Sequence, residues 1–254
     1  MRKHRRGHAP HRQSRGTHPC RQRGSGARPP SLRRRNVLCP PQAKVVYRIA
    51  TSDHPATMVL PRFLEILADK APHVDVRIFA LDKRDAFDLV DRGEIDLLIG
   101  SFRNVPKRIR SRPLYTDGYL CVIRRGHPLL GPDGTQSLDA YVAAPHVLVT
   151  LAADDQGIVD EVLAKKGLRR RVAVTVSDFH LVPHIVERTD MIGHMPRRIA
   201  DLLVKDHDLL VLPPPVALPP WNSELFWGGV SDAEPGAKWF REQLFAISRD
   251  IEAH

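Results

Sequence analysis

The sequence lacks the motifs on which most enzymes and metal proteins depend. Three cysteines in 254 residues, without a CxxC pair, argue against a disulfide framework and a zinc site. The thirteen histidines form no HExxH motif, and no GxSxG, Walker A or GxGxxG segment occurs, so the chain has no sign of a metal centre, a nucleophile elbow or a nucleotide loop. No apolar run approaches the length of a membrane span. We therefore expect a soluble, cytoplasmic protein that is not an enzyme and uses no cofactor or metal.

Acidic residues are absent from the first 44 positions. This segment contains thirteen Lys or Arg residues, whereas the rest of the chain has 26 basic and 29 acidic residues and a net charge of −3. The overall charge of +10 therefore belongs to residues 1–44. Large aliphatic side chains are too few there to offset the entropy of ordering the chain, so we predict a disordered basic tail.

Three interpretations of this tail remain open. It could be an arm that binds nucleic acid by neutralising phosphates, or a targeting segment, although it has no apolar face. Its richness in Arg, Pro, Gly, His and Ser is also typical of GC-rich DNA translated out of frame or from a misplaced start, and composition favours this last interpretation. Cys20 and Cys39 lie in the tail. Cys121 lies in an apolar strand, where a buried and unreactive thiol is expected.

Strands and helices alternate from residue 45 onward. YRIATSDHPATMVLP at 47–61 predicts a strand, a polar turn and a helix, and DRGEIDLLIG at 91–100 predicts a helix end followed by a strand. Further strands are expected near 74–80, 113–125, 146–151, 171–176, 191–195, 208–212 and 223–230, with helices near 84–92, 157–166, 181–189, 196–204 and 235–251. PPPVALPP at 213–220 predicts a stiff connector, because proline cannot donate to a sheet. The alternation predicts parallel sheets with ligand sites at the carboxyl ends of their strands.

These segments, together with YLCVIRRGHPL at 119–129, MIGHMP at 191–196 and FWGGVSDAEPGAKWFREQL at 226–244, resemble the effector-binding domain of LysR-type transcriptional regulators. The resemblance covers about residues 45–254. It implies an α/β fold like that of type 2 periplasmic binding proteins, with two Rossmann-like lobes joined by two crossings near 120–124 and 220–226. Lobe I would span about 45–122 and 224–254, and lobe II about 123–223.

The resemblance also implies a function: sensing of a small-molecule effector in the regulation of DNA-templated transcription. It implies a homodimer formed through the effector domains, for which Leu60, Leu64 and Leu67 and residues 223–230 are candidate apolar surfaces. Regulators of this family carry a winged helix-turn-helix ahead of the effector domain, and residues 1–44 show no 3.6-residue apolar period for such a helix. We therefore expect DNA contact only if a helix-turn-helix is supplied elsewhere, or through the basic tail.

Two other classes of protein compete with this interpretation. A basic-tailed nucleic-acid-binding protein would owe its affinity to residues 1–44, so deleting them would abolish DNA binding. A free-standing solute-binding protein of the same fold would need export, and no apolar signal region follows the basic start.

Candidate effector-binding residues are the polar and aromatic side chains near strand ends that should meet at the cleft between the lobes. They are Thr51, Ser52, Asp53, Ser101, Phe102, Arg103, Thr150, Gln156, Ser177, Asp178, Phe179 and His194. Singly, several have a structural explanation, such as a helix cap for Thr51, Ser52 or Asp53, and core packing for Phe179 or His194. Ser52 and Ser177 are expected to hold the ligand from opposite lobes.

The segments TSDHP, SFRNVP and VPHIVERTDMIGHMP resemble most the branch of the family that responds to aromatic acids and flavonoid-like inducers. Phe102 and Phe179 could stack a ring, and Arg103 or the helix start at Ser52 could take a carboxylate. Asp53 and Asp178 disfavour a strongly anionic ligand. A small aromatic or phenolic effector is therefore expected.

Overall fold

The first sheet is formed mainly by the strands of the alternating segment that begins at residue 45. In this computed structural model residues 45–131, 134–151 and 156–252 are described, and the predicted tail at 1–44 lies outside them. The strand order is β2-β1-β3-β10-β4, in which β1 to β3 are parallel and β10 is antiparallel to both of its neighbours. The strands are β1 (Val45–Thr51), β2 (Val74–Ala80), β3 (Leu97–Gly100), β4 (Ile109–Asp117) and β10 (Trp221–Gly228).

Three helices cover this sheet: α1 (Asp53–Lys70), α2 (Ala86–Asp91) and α7 (Pro235–Glu252). The rings of Tyr47 and Phe240 stack at 3.9 Å between centroids, and Phe63 meets Phe240 edge-on at 4.7 Å. The face of α7 predicted to be apolar is buried at Phe240, Leu244 and Ile247. Burial of this stripe, rather than helix propensity, therefore fixes α7 on the sheet.

The second lobe is built on two smaller sheets. In one, β5 (Tyr119–Arg124) lies between β8 (Gly193–Pro196) and β9 (Leu209–Leu212); in the other, β6 (Pro145–Val149) and β7 (Arg171–Val176) are parallel. The amide of Val147 donates to the carbonyl of Ile192 at 2.9 Å and links the two sheets. The helices of this lobe are α3 (Leu138–Ala143), α4 (Ile158–Ala164), α5 (Leu181–Val186) and α6 (Arg197–Leu203). The predicted two-lobed α/β architecture is confirmed.

The chain passes between the lobes at two places. The first crossing is at Gly118, a few residues before the predicted position, because Tyr119 to Val122 already pair with β8. The second crossing is at residues 219–220, at the start of the predicted range 220–226, because Val216 and Leu218 still pack in the second lobe and β10 begins at residue 221. The proline-rich segment 213–220 forms no strand, as predicted. At the first crossing Asp117 accepts hydrogen bonds from the Gly118 amide at 2.8 Å and the Arg198 amide at 3.4 Å. This carboxylate therefore ties the end of β4 to the start of α6.

The surface predicted for dimer contacts is largely inside the fold. Leu60 and Leu67 are core residues of α1, and β10 is a central strand between β3 and β4. The prediction that these residues are available apolar surface is therefore wrong for Leu60, Leu67 and the buried residues of β10. Of the predicted set, Leu64, 42% exposed, and Val230, just after β10, are exposed apolar residues. β2 is one of the two edge strands of the first sheet, and its Ile78 and Phe79 are 48% and 43% exposed. Within the described residues no helix is both long and apolar enough to cross a membrane.

Candidate functional site

A cavity of about 760 Å³ lies between the two lobes. Its first wall comes from the start of α1, the loop after β3 and the start of β10. Its second wall comes from β6, the start of α4 and the loop that follows β7. The carboxyl ends of β1, β3 and β6 thus meet at one crevice, which is where open α/β sheets bind ligands.

Most of the predicted site residues line this cavity. The structure brings nine of them together there: Ser52, Asp53, Ser101, Phe102, Arg103, Thr150, Gln156, Phe179 and His194. The other three, Thr51, Ser177 and Asp178, lie outside the lining. Thr51 is buried in β1 with its hydroxyl donating to the Ser52 carbonyl at 3.3 Å, and the exposed Ser177 donates to Asp178 at 2.7 Å. A position near a strand end does not determine which way a side chain points.

The N-terminus of α1 opens into the cavity. Ser52 is the N-cap in an extended conformation (φ −89°, ψ 170°), and its side chain makes no capping hydrogen bond. The first amides of a helix have no partner within the helix, and here the N-cap hydroxyl does not occupy them. Both the Ser52 hydroxyl and these amides are therefore placed where a ligand could bind them.

Two polar contacts join the lobes across the cavity. Asp53 Oδ2 accepts a hydrogen bond from the Phe179 amide at 2.6 Å and lies 3.2 Å from His180 Nδ1. Arg103 Nη2 lies 2.6 Å from Glu161 Oε1, with both side chains exposed. Asp53 lies in the first turn of α1, where a carboxylate favours the helix dipole, as the structural explanation expected. Its side chain also reaches across to the second lobe.

The cavity also has lining residues that sequence reasoning did not predict, and among them are His54, Tyr119, Arg170 and Trp221. His54 is fully buried, with its ring 5.3 Å from that of Trp221 and 6.3 Å from that of Phe179. Its Nε2 lies 3.2 Å from Asp117 Oδ2 without hydrogen-bond geometry, and its Nδ1 has no partner among the described residues. Burial raises the pKa of Tyr119 to about 12, so this phenol stays protonated.

A buried polar cluster supports the wall of the second lobe. Arg170, with a side chain 1% exposed, makes two hydrogen bonds to Asp160 at 2.8 and 2.7 Å, and Asp160 also accepts from the Gly157 amide at 2.7 Å. Arg170 Nη1 lies 3.4 Å from Nδ1 of both His146 and His194. This cluster therefore fixes the start of α4, which carries the cavity residues Gln156 and Gly157.

The two histidines of the cluster are held neutral. Their rings stack at 5.6 Å with an 11° interplanar angle. His146 Nε2 donates to the Tyr141 carbonyl at 2.8 Å, and His194 Nε2 lies 2.6 Å from the Tyr141 hydroxyl. Burial and the Arg170 charge lower the pKa of His146 to about 4 and that of His194 well below its usual value. Each Nδ1 can therefore accept from the Arg170 guanidinium.

The electrostatics of Asp160 and Cys121 follow from burial and partners. Burial alone would raise the pKa of Asp160, but hydrogen bonds from Arg170 and Gly157 outweigh it and the pKa is lowered. Cys121 is fully buried, as predicted, and burial raises its pKa to about 12.

Across the described ranges, no group of three or more His, Cys, Asp or Glu side chains could hold a metal ion.

Comparison with protein families identifies the fold and its relatives. The family model described as the LysR substrate binding domain matches residues 42–247. The HTH-type transcriptional regulator SyrM of Rhizobium meliloti strain 1021 is 32% identical over 212 residues, which are 83% of this chain and 64% of the relative. The HTH-type transcriptional activator NahR of Pseudomonas putida is 27% identical over 87% of this chain and 73% of its own length. The chain thus spans less than two thirds of SyrM.

Solved structures show the same architecture. The regulatory domain of MexT, a transcriptional activator in Pseudomonas aeruginosa, superposes with a TM-score of 0.71 at 26% identity, covering 81% of this chain and 98% of that domain. A regulatory domain of OxyR2 from Vibrio vulnificus gives a TM-score of 0.64 at 14% identity, covering 84% and 98%. The MexT similarity extends over nearly the whole of a regulatory domain, and the OxyR2 similarity shows the fold.

Proposed function

The chain belongs to the LysR-type transcriptional regulators, whose substrate-binding domain it contains, and from this premise we propose that it closes on a small aromatic effector and so serves the regulation of transcription. The observation that carries this proposal is the cavity whose walls come from both lobes. A pocket of about 760 Å³ lined by Phe102, Tyr119, Phe179 and Trp221 has the size and aromatic character of a small-molecule site.

The effector acts by favouring the closed arrangement of the lobes. Among the described residues the chain crosses between the lobes twice, at Gly118 and at residues 219–220, and such a double connection permits closure about a hinge. A ligand that contacts Ser52 and Ser101 on one wall and Thr150 and Gln156 on the other gains those contacts together only in the closed form. Its differential affinity for that form sets how far the equilibrium moves.

The test is a thermal-shift screen of benzoates, salicylates, phenols and flavonoids, followed by calorimetry on each compound that raises the melting temperature. Ser101→Trp, which fills the cavity, should abolish binding, because Ser101 lines it. The matched control is Ser177→Trp on the exposed surface outside the cavity, which should leave the affinity unchanged. Equal affinities for the two variants, at equal melting temperatures without ligand, would place the ligand elsewhere and overturn the proposal.

The remaining proposals concern assembly and context. We take residues 45–254 as the effector-binding domain, with residues 1–44 as a separate tail, and we assign the chain a role in binding rather than in catalysis. Its place is the cytoplasm, where effector and promoter are both available. DNA contact requires a helix-turn-helix, such as the curated relatives' names indicate for those proteins, or the basic tail.

Self-association is proposed through the first lobe. Ile78 and Phe79 on the edge strand β2 and Leu64 on α1 are the exposed apolar side chains near this edge, and an exposed strand edge favours pairing with another chain. Sedimentation should show a dimer that the double variant Ile78→Asp, Phe79→Asp converts to monomer. Val230→Asp, at a fully exposed apolar position after β10, is the control. A wild-type monomer at high micromolar concentration would contradict this proposal.

A further inference from the structure

We infer that the crossing end of the cavity is a subsite for a neutral hydroxyl group, and that Asp53 makes the cavity select a phenol over an aromatic carboxylate. The inference rests on the proposed function and concerns the chemical class of the same effector. It follows from which polar atoms of the cavity already have partners and which do not.

The cationic side chains of the cavity are already engaged. Arg103 pairs with Glu161 at 2.6 Å, and Arg170 is held by Asp160 through two hydrogen bonds at 2.8 and 2.7 Å. Lys83 Nζ lies 5.6 Å from the centre of the Phe102 ring. Glu224 contributes a further carboxylate to the lining. A carboxylate ligand would therefore have to take a cation from its present partner, which costs part of the energy that pairing returns.

Asp53 provides an acceptor and a negative charge at the start of α1. Its side chain is 10% exposed, with Oδ2 bound to the Phe179 amide across the cavity. Oδ1 is buried and has no hydrogen-bond partner among the described residues. An unpaired buried carboxylate oxygen is costly and is strongly stabilised by a hydrogen-bond donor. A neutral O–H can provide that donor, whereas a ligand carboxylate cannot and is repelled.

Groups that can donate to the same ligand also line the cavity with Asp53. Trp221 Nε1–H is buried without a partner among the described residues, and the Trp221 ring contacts that of His54. His54 is 1% exposed, lines the cavity and has an unpartnered Nδ1. The uncapped start of α1 adds backbone amides and the Ser52 hydroxyl.

The subsite therefore presents an acceptor with a formal charge and, next to it, neutral donors. A phenolic hydroxyl donates one hydrogen bond and accepts others, so it can satisfy both. A methyl ether of the same ring accepts only, and a carboxylate accepts and carries a charge. From these donors and this acceptor we expect the phenol to bind most tightly, the ether less tightly and the carboxylate most weakly.

The experiment uses calorimetry of the full chain with three compounds on one ring system: a naphthol, its methyl ether and the corresponding naphthoate. Wild type should bind the naphthol on the order of tenfold more tightly than the ether, because a hydrogen bond to a carboxylate is lost, and the naphthoate most weakly. Asp53→Asn keeps the side-chain shape and removes the charge. It should bring naphthol and naphthoate affinities several-fold closer together, whatever its effect on closure, because the ratio cancels that effect.

Asp178→Asn is the matched control. It removes one carboxylate from the opposite lobe, outside the cavity lining, and should leave the naphthol-to-naphthoate ratio at the wild-type value. A naphthoate that binds wild type as tightly as the naphthol overturns the inference. So does a ratio that Asp53→Asn leaves unchanged, and in both cases effector sensing itself still stands. Failure of all three compounds and of the wider aromatic panel to bind contradicts the proposed function together with this inference.

Discussion

The two walls of the cavity differ in how completely their polar groups are paired. On the second lobe, Arg170, Asp160, His146 and His194 form one buried network in which the charged groups have partners. On the first lobe, Asp53, His54 and the crossing residue Trp221 retain buried polar atoms without partners among the described residues. The charged groups of the second wall are thus paired within the protein, whereas the first wall has buried polar atoms that a ligand could bind.

The difference suggests that the second wall mainly stabilises the fold and the first wall mainly binds the ligand. A fully paired network resists rearrangement, because moving one member leaves several buried groups unsatisfied. Unpaired atoms on the opposite wall can gain from a ligand without giving up existing bonds. We therefore expect substitutions in the second wall to affect mainly stability, and substitutions in the first wall to affect mainly ligand binding.

The largest effect should come from Arg170→Met. The substitution leaves Asp160 without its buried partner, and breaking such a pair costs about 3 to 5 kcal/mol of unfolding free energy. Denaturant unfolding measures the change. The matched control is Arg84→Met, which removes an exposed arginine paired with Asp82 and should lower the unfolding free energy far less, because solvent screens an exposed ion pair. Similar losses in the two variants would mean that the second wall is not the rigid element.

Acidic pH should destabilise the second wall next most strongly. The pKa of His146 is about 4 in the folded protein and near its ordinary value of 6.5 when unfolded. Between these values the unfolded chain binds more protons, so the unfolding free energy falls as pH drops from 6.5 to 4, by roughly 3 kcal/mol. His194 acts in the same direction. Between pH 4 and 6.5 the unfolding free energy of His146→Gln should change less with pH than that of wild type. An unchanged pH dependence would contradict the low pKa of His146 as its cause.

Ser52→Ala should have a smaller effect, confined to binding. Loss of one hydrogen bond to a neutral ligand group costs about 0.5 to 1.5 kcal/mol, a few-fold to tenfold in affinity, while the melting temperature stays close to wild type because Ser52 makes no capping bond. Calorimetry with any aromatic hit measures this. Ser177→Ala, at the exposed position outside the cavity, should bind normally. A Ser52→Ala variant that loses stability but keeps its affinity would contradict the assignment of the first wall to ligand binding.

The smallest effect is expected from Arg103→Gln. The Arg103–Glu161 contact joins the walls, but both side chains are exposed, and such pairs contribute about 0 to 1 kcal/mol. Ligand affinity should fall about twofold at low salt and hardly at all at high salt. An effect comparable with that of Ser52→Ala, persisting at high salt, would show that Arg103 contacts the ligand directly.

Periodicity and turn residues were enough to predict most strands and helices and the two lobes. They did not predict α3, and they gave one extended stretch at 113–125 where the structure has β4 and β5. For example, the apolar stripe of α7 and the glycine stop at Gly93, which has φ +68°, were both confirmed. Nine of the candidate residues line the cavity, because parallel strands place their carboxyl ends at one edge; that they bind an effector stays a prediction. Thr51 and Ser177 were misplaced relative to the cavity, because adjacency to a strand end leaves the side-chain direction undetermined.

The missed residues depend on contacts between distant parts of the chain. Arg170 precedes β7 at the end away from its carboxyl terminus, and only the packing of α4 brings Asp160 to it. Trp221 begins β10 directly after the proline-rich segment, and its ring lies 5.3 Å from that of His54 at the start of α1, a contact between distant parts of the first lobe. His54 looked like an ordinary first-turn residue of α1. A single sequence carries no signal for such pairings.

Hydrogen exchange with a bound aromatic compound tests the central claim of closure most directly. We expect slower exchange in both walls together, at residues 53–58 of α1 and at 147–151 and 156–160 around β6 and α4. The smaller cavity of about 360 Å³ between β4 and α7 should show no change. Protection limited to one lobe, or centred on the β4–α7 cavity, would contradict an effector held between the lobes.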